Sequence, residues 1–541
     1  MDTAVLVLII LAIIYVPIWI WVWRKPEEAA KFHLVKYGPT IMIKTRLGIE
    51  TMDKMGKYRR FWRVVGFLSR FVSVILFFLM MYMLIVALIA LPTRIGSGGI
   101  GIQYALAIPG FNPMLPLTYG IVALFFAMVV HEMGHGIQSR ANDCTVDSTG
   151  LLYGVVPLGA FCEPNEEELN KLDRRAQMDI FSAGIAINTF WAIVAFSIML
   201  LLFTGISVAD YGQGDGEELP GVYYIDAGSP AYDSGVPTSA LITGVREYDE
   251  TSYSPVHFIS GGGLSSFVTD SGTDERTLYY IQYQLADGLH ETTTPIQLGA
   301  LIKSVTNNSP AKSAGLEPLT YLDSITFTRG DAVWTVDIDT PVDFREAMAE
   351  SLPGDLAQVT TVTVAVDGDV TTIETVEHEA VSLTASGSKG YLGLGVTTAG
   401  FTVTTPSVMR DKAVDPFIGC SSPIDYVEAL FQYLAGPVNG LDPISDSITW
   451  WYDTSLGDIT WVLVKLMYWI FWLDILLAIS NALPAYPFDG GFLFEGAINW
   501  ILELVGIRDK EKRKELSDKI SGTISNVVLI MFALVLLAFL I

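Results

Sequence analysis

Two histidines and a glutamate close an apolar run in VVHEMGHGIQSR, residues 129–140, and their spacing suits metal-assisted hydrolysis. His131 and His135 stand at i and i+4, one turn apart on one helical face, so both imidazoles can reach a single ion. Glu132 lies about 100° round the helix, beside such an ion rather than on it. This is the HExxH arrangement of zinc hydrolases, with the glutamate as general base. On a soluble helix the same residues would form an ordinary polar face. Here they follow Leu117–Val130, LTYGIVALFFAMVV, which carries no charge. An ionisable group near mid-bilayer costs about 2.5–3.5 kcal/mol, so three together call for a partner, a metal or a water-filled site.

Catalytic zinc takes three protein ligands and a water, so a third donor must come from elsewhere in the membrane. The stretch ISNALPAYPFDGGFLF, 479–494, offers Asp489 with paired glycines after a Pro-broken helix end. Irregular backbone at membrane depth is tolerated only where it lines a protein cavity. Asp474 is a rival deeper in the same span, without the break, and loop capping is the plainer role for Asp489. In SAGIAIN, 182–188, Gly184 permits close helix approach and Asn188 puts an amide in the membrane, where it needs a partner. That amide makes either an interhelical hydrogen bond or a contact with substrate backbone or an oxyanion near the metal. Asn481 invites the same two readings. LLYGVVPLGAFCEPNEEEL, 151–169, alternates and turns like a hairpin. Its exposed edge, around Pro157, Leu158 and Gly159, can pair with a substrate strand.

The elements that must position these groups are membrane helices. Mean hydropathy is +0.43 and 51% of the 541 residues are hydrophobic, above the usual soluble range. A polytopic α-helical membrane protein of about six transmembrane helices is expected, with spans at Thr3–Trp23, Phe71–Leu91, Leu117–Gln138, Asp179–Ile206, Thr460–Leu483 and Ser521–Ile541. The first has no preceding positive residue and no small-residue cleavage site, and Arg24-Lys25 follow it, so it reads as a retained anchor. The positive-inside rule assigns the basic stretch between Arg24 and Arg70 to the cytoplasm. The loops carrying Lys171, Arg174 and Arg175, and Arg508–Lys519, then also fall inside. The N-terminus lies outside, and the His131 motif lies toward the cytoplasmic end of its span.

Net charge is −25, and residues 201–450 hold 34 acidic against 9 basic residues, the same excess. An acidic face argues against nucleic acid, which needs a basic footprint, and its spread indicates a solvated surface more than a calcium site. Three cysteines, two placed inside and one outside, imply no disulfide framework.

From Ala209 to about Ala399 the chain turns to short β-rich runs broken by Gly, Pro, Asp and Thr, a soluble insert. SPAYDSGV, 229–236, recurs as SPAKSAGL, 309–316, so two related units are expected. The second continues into DTPVDFREAMAESLPGDLAQVTTVTVAVDG, 339–368, a short helix and a strand hairpin, and resembles a bacterial PDZ domain. The first matches only over its opening turn. Such units bind extended peptide ends along an exposed strand; a generic β-sandwich spacer is the plainer reading.

HEMGH at 131–135, VPLGAF at 156–161, SAGIAIN at 182–188, the PDZ-like units and NALPAYPFDGG at 481–491 together resemble the site-2 protease family of intramembrane zinc metalloproteases. The resemblance implies zinc bound by His131, His135 and Asp489, Glu132 as general base, and Asn188 and Asn481 near the substrate. The family's usual Gly-Pro pair in the fourth span is Gly184-Ile185 here. The implied function is cleavage of membrane-anchored protein substrates in or near their transmembrane segments, as in regulated intramembrane proteolysis, with the lipid bilayer and peptide ligands of the PDZ-like units as further partners. The alternative is a non-catalytic membrane scaffold or chaperone with structural zinc. Expected organisation is 1–116, N-terminal helices and a basic cytoplasmic loop; 117–208, the first part of the catalytic core; 209–399, the extracytoplasmic acidic insert; 400–459, a linker returning to the membrane; and 460–541, the second part of the core and a C-terminal helix.

Overall fold

The computed structural model describes residues 3–94, 108–155, 157–211, 218–261, 264–367, 370–435 and 444–537. The chain separates into two compact units, one of Met1–Thr204, Leu430–Leu441 and Asp458–Ile541, the other of Gly205–Ala429 and Asp442–Gly457.

The first unit is mainly helical: α1 (Thr3–Arg24), α2 (Arg59–Arg94), α3 (Leu117–Ala141), α4 (Arg174–Phe203), α5 (Ile459–Asn481), α6 (Asp489–Leu504) and α7 (Lys510–Leu537). Among the described residues, five helices are long and apolar enough to cross a membrane: α2, α3, α4, α5 and α7. The expected sixth crossing falls on α1, an apolar helix of 22 residues, of which Ile9–Arg24 enters that measure. Asp173 starts α4 by accepting from the Ala176 N–H, satisfying a donor that the first helical turn leaves free. Helices α4 and α5 run antiparallel. Phe196 meets Phe471 in a tilted pair at one level, with ring centroids 5.0 Å apart, and Ile185 packs with Ala478, Ile479 and Ala482 at another, joined by Leu76 of α2.

Beside the helices lies a four-stranded antiparallel sheet of β1 (Leu34–Tyr37), β2 (Thr40–Thr45), β3 (Val146–Tyr153) and β4 (Pro157–Pro164), in that order. The basic stretch expected as a loop therefore supplies half a sheet. Its alternating KYGPTIMIKT suits strands, and Gly38, at φ +52°, makes the turn that favours glycine. Helix α1 covers this sheet: the Tyr15 hydroxyl donates to the Pro39 carbonyl at 2.8 Å, and its ring lies 6.0 Å from that of Tyr153.

In the second unit the described strands are β-rich and antiparallel throughout, around two hydrophobic cores. One gathers Ile242, Phe267, Ile281 and Phe401; the other gathers Ile325, Phe327, Phe344 and Leu392. The repeated Ser-Pro-Ala turns fold alike. Ser229 caps the short helix Pro230–Asp233 and Ser309 caps Pro310–Ser313, each side chain accepting from the N–H three residues on. The glycines that end these turns, Gly235 and Gly315, have φ of +77° and +78°. The stretch 400–459 carries a strand, Phe401–Thr404, and helices Pro406–Val414 and Pro423–Ala435.

Candidate active site

The metal donors foreseen on separate segments converge. His131 and His135 sit on the buried end of α3, and Asp489 is the first residue of α6. The two Nε2 atoms are 3.2 Å apart, and they lie 3.1 and 3.2 Å from Asp489 Oδ2. A tetrahedral ion with bonds of about 2.0–2.1 Å needs its ligands about 3.3–3.4 Å apart, so this nearly equilateral triangle already has the dimensions of one tetrahedral face. Among the described residues these three side chains form the one such cluster of His, Cys, Asp or Glu. Asp474, the rival, is fully buried in α5 and stands outside it.

Neighbouring groups preset the donors. His135 Nδ1 lies 2.8 Å from the Ile180 carbonyl of α4. A carbonyl only accepts, so Nδ1 carries the proton and the Nε2 lone pair is left for an ion. Gly184, one turn further along α4, faces both rings: a Cβ there would collide with His135 Nε2 and come within 2.7 Å of His131 Nε2. The missing side chain leaves the two imidazoles unobstructed on this side. The residues present thus fit a metal by donor type, spacing, tautomer and room.

Asp489 is held by its glycines. A Cβ on Gly490 would lie 2.5 Å from the Ala482 and Leu483 carbonyls, and one on Gly491 would lie 2.8–2.9 Å from the Ala485–Tyr486 backbone. Only bare backbone lets the start of α6 fold back so tightly on the end of α5. The loop is fastened to α7 by the Tyr486 N–H, which donates to Ser525 Oγ at 2.9 Å.

Glu132 reaches the sheet: its Oε2 accepts from the Cys162 N–H of β4 at 2.7 Å. That N–H therefore turns away from β3, although Cys162 is registered opposite Thr149. By alternation the N–H and C=O of Ala160 turn the same way. Among the described strands β4 pairs only with β3, so no described strand pairs with this edge beside the glutamate. Pro157 and Gly159 are registered opposite Tyr153 and Leu152, with a bulge that takes in Leu158. Val156 lies outside the described residues.

The two asparagines are engaged locally. Asn188 Nδ2 donates to the Ala127 carbonyl of α3 at 3.3 Å, the ordinary interhelical bond, and its Oδ1 has no partner among the described residues. Asn481 Nδ2 donates back to Leu477 of its own helix at 3.1 Å. Sequence reasoning missed the Ile180 carbonyl, the Cys162 N–H and the proximity of Gly184 to the imidazoles. Only the last had a signal, a glycine in the middle of an apolar span.

Apolar helices thus gather an HExxH pair and a distant aspartate into one candidate metal site, with the motif's glutamate beside strand β4. The chain belongs to peptidase family M50, the site-2 protease family, which it matches over residues 119–516. It is 34% identical to an uncharacterised protein of Methanocaldococcus jannaschii over 165 residues, which is 30% of this chain and 43% of that one. It is 22% identical over 194 residues to a Clostridium acetobutylicum protein provisionally named a zinc metalloprotease, 32% of this chain and 56% of the relative. The chain thus spans about half the length of these curated relatives.

Proposed function

We propose that this protein is a zinc-dependent intramembrane endopeptidase that cuts membrane-anchored protein substrates in or just beside their transmembrane segments. The observation that carries this reading is the triangle of His131, His135 and Asp489 donors, with edges of 3.1–3.2 Å, set among apolar helices in a chain of family M50. His131, His135 and Asp489 would hold zinc, which would supply polarisation of the scissile carbonyl and a water of lowered pKa. Glu132, steadied by the Cys162 N–H, takes that water's proton and returns it to the leaving amine. A substrate helix must unwind first, because helical hydrogen bonds occupy its carbonyls. The freed strand pairs with the open edge of β4 over residues 157–162, where Ala160 offers both an N–H and a C=O. Asn188 and Asn481 flank the substrate on α4 and α5.

In the membrane, α1 supplies a sixth crossing with the N-terminus outside. The basic stretch Arg24–Arg70 lies inside, the active site lies toward the cytoplasmic face, and the acidic insert lies outside. The two Ser-Pro-Ala units of that insert are PDZ-like modules that take extended peptide ends. The test is cleavage of a single-span model substrate by the purified chain. Activity lost to a chelator and restored by zinc supports the reading, and cleavage that persists in the metal-free protein refutes it.

A further inference from the structure

Helix α2 ends before the region matched to family M50 begins, yet polar contacts tie it to the two helices, α3 and α4, that carry and orient the histidine donors. Arg70 Nε lies 2.7 Å from Asp179 Oδ1 of α4. Asp179 is 7% exposed. The helices meet closely here: a Cβ on Gly66 would come within 2.5 Å of Gln138 Nε2 and 2.6 Å of Asp179 Cγ. Gln138 of α3 in turn donates to the Trp62 carbonyl of α2 at 3.2 Å, and Ser182 Oγ donates to the Asp179 carbonyl at 3.2 Å. Three helices are therefore joined at one polar knot. The residue after Asp179 is Ile180, whose carbonyl receives the His135 Nδ1 proton.

We propose that Arg70 is a positioning residue for the metal centre: by pairing with Asp179 it fixes the turn of α4 whose Ile180 carbonyl orients His135. This rests on the metal-binding reading above. A charge in a membrane helix needs a partner wherever it stands, but the partner of Arg70, Asp179, is the residue next to Ile180, whose carbonyl sets a ligand's tautomer. Outer partners of metal-bound histidines are worth about 10–100-fold in metal affinity. The effect of Arg70 passes through the backbone, so it falls at the low end of that range. On this account α2 belongs to the catalytic core.

The test uses the full chain in detergent or nanodiscs. Zinc affinity is measured by competition with a chromophoric chelator, and the visible spectrum is recorded for the cobalt-loaded protein. Arg70→Gln is expected to weaken zinc binding about 10-fold and to shift the cobalt bands, while Arg70→Lys recovers most of the affinity. A folded Arg70→Gln protein with wild-type zinc affinity and cobalt spectrum overturns the proposal, whatever its thermal stability, because a purely structural pair would change stability alone. Should Arg70→Gln not fold, Asp179→Asn, which keeps the shape of the contact, is read by the same two measurements. A wild-type chain that binds neither ion would instead refute the metal reading itself.

Discussion

At the scale of single residues, the site depends as much on an absent side chain as on the donors. Gly184 leaves open the space beside His131 and His135 that a Cβ would fill. Alanine is normally the better helix former by about 1 kcal/mol, so Gly184→Ala separates two effects. The variant is expected to keep or gain helix stability while losing zinc, measured as thermal melting and bound metal on one preparation. Full zinc occupancy in Gly184→Ala would mean that the ion sits elsewhere. The HExxH triad was legible in the sequence because one helix contains it and its spacing is fixed by 3.6 residues per turn. Asp489 was legible for another reason. Gly490 and Gly491 mark a backbone that packs against backbone, and they sit beside the acid that this fold-back delivers.

Among the elements, long-range pairing is what the sequence conceals. The four-stranded sheet joins β2 to β3 in a register that sets Ile41 opposite Tyr153, and no local pattern specifies a partner so far along the chain. The turn between β3 and β4 was readable within 151–169, but the hairpin starts earlier, at Val146, and gives way to a helix at Glu166–Lys171; its enlargement by β1 and β2 was not readable. The Arg70–Asp179 pair was hidden for the same reason, since each residue alone reads as the flank of an apolar span. The open edge of β4 gives the prediction at this scale. Ala160→Pro removes an outward N–H without touching the ladder to β3. It is expected to slow cleavage of a single-span substrate at least about 10-fold, the loss of roughly one hydrogen bond that forms in the transition state, while zinc content stays at the wild-type level. Unchanged kinetics would remove β4 from substrate binding.

Over the whole molecule, charge is divided sharply, with the entire net excess of 25 negative charges in residues 201–450. Within that region Glu275 is 6% exposed. Burial, followed by the carboxylates of Asp339, Asp274 and Asp323, pushes its pKa up to about 8; Arg276 is engaged with Asp323 at 2.5 Å. A folded-state pKa above the unfolded one means that the folded insert holds the proton more tightly. Its contribution is fully present below the ordinary carboxylate range and is lost as pH rises to about 8. Glu275→Gln mimics the protonated form. Hydrogen exchange in strands 278–285 and 321–329 of the full chain should therefore show the variant better protected than wild type, by a margin that grows from about pH 5 to pH 8. A margin that is constant or shrinks with pH would contradict the assigned burial of this carboxyl.

The most direct test of the central claim compares two carboxylates with different assigned duties on one metal. Glu132→Gln keeps the acceptor for the Cys162 N–H but cannot take a proton at neutral pH, and Asp489→Ala removes a donor. Zinc content and cleavage of a single-span substrate are measured on both purified full-length variants. The account predicts near-stoichiometric zinc with a rate lowered by at least about 10²–10⁴-fold for Glu132→Gln, and loss of zinc and activity together for Asp489→Ala. Normal cleavage by Glu132→Gln, or tightly held zinc in Asp489→Ala, would contradict it.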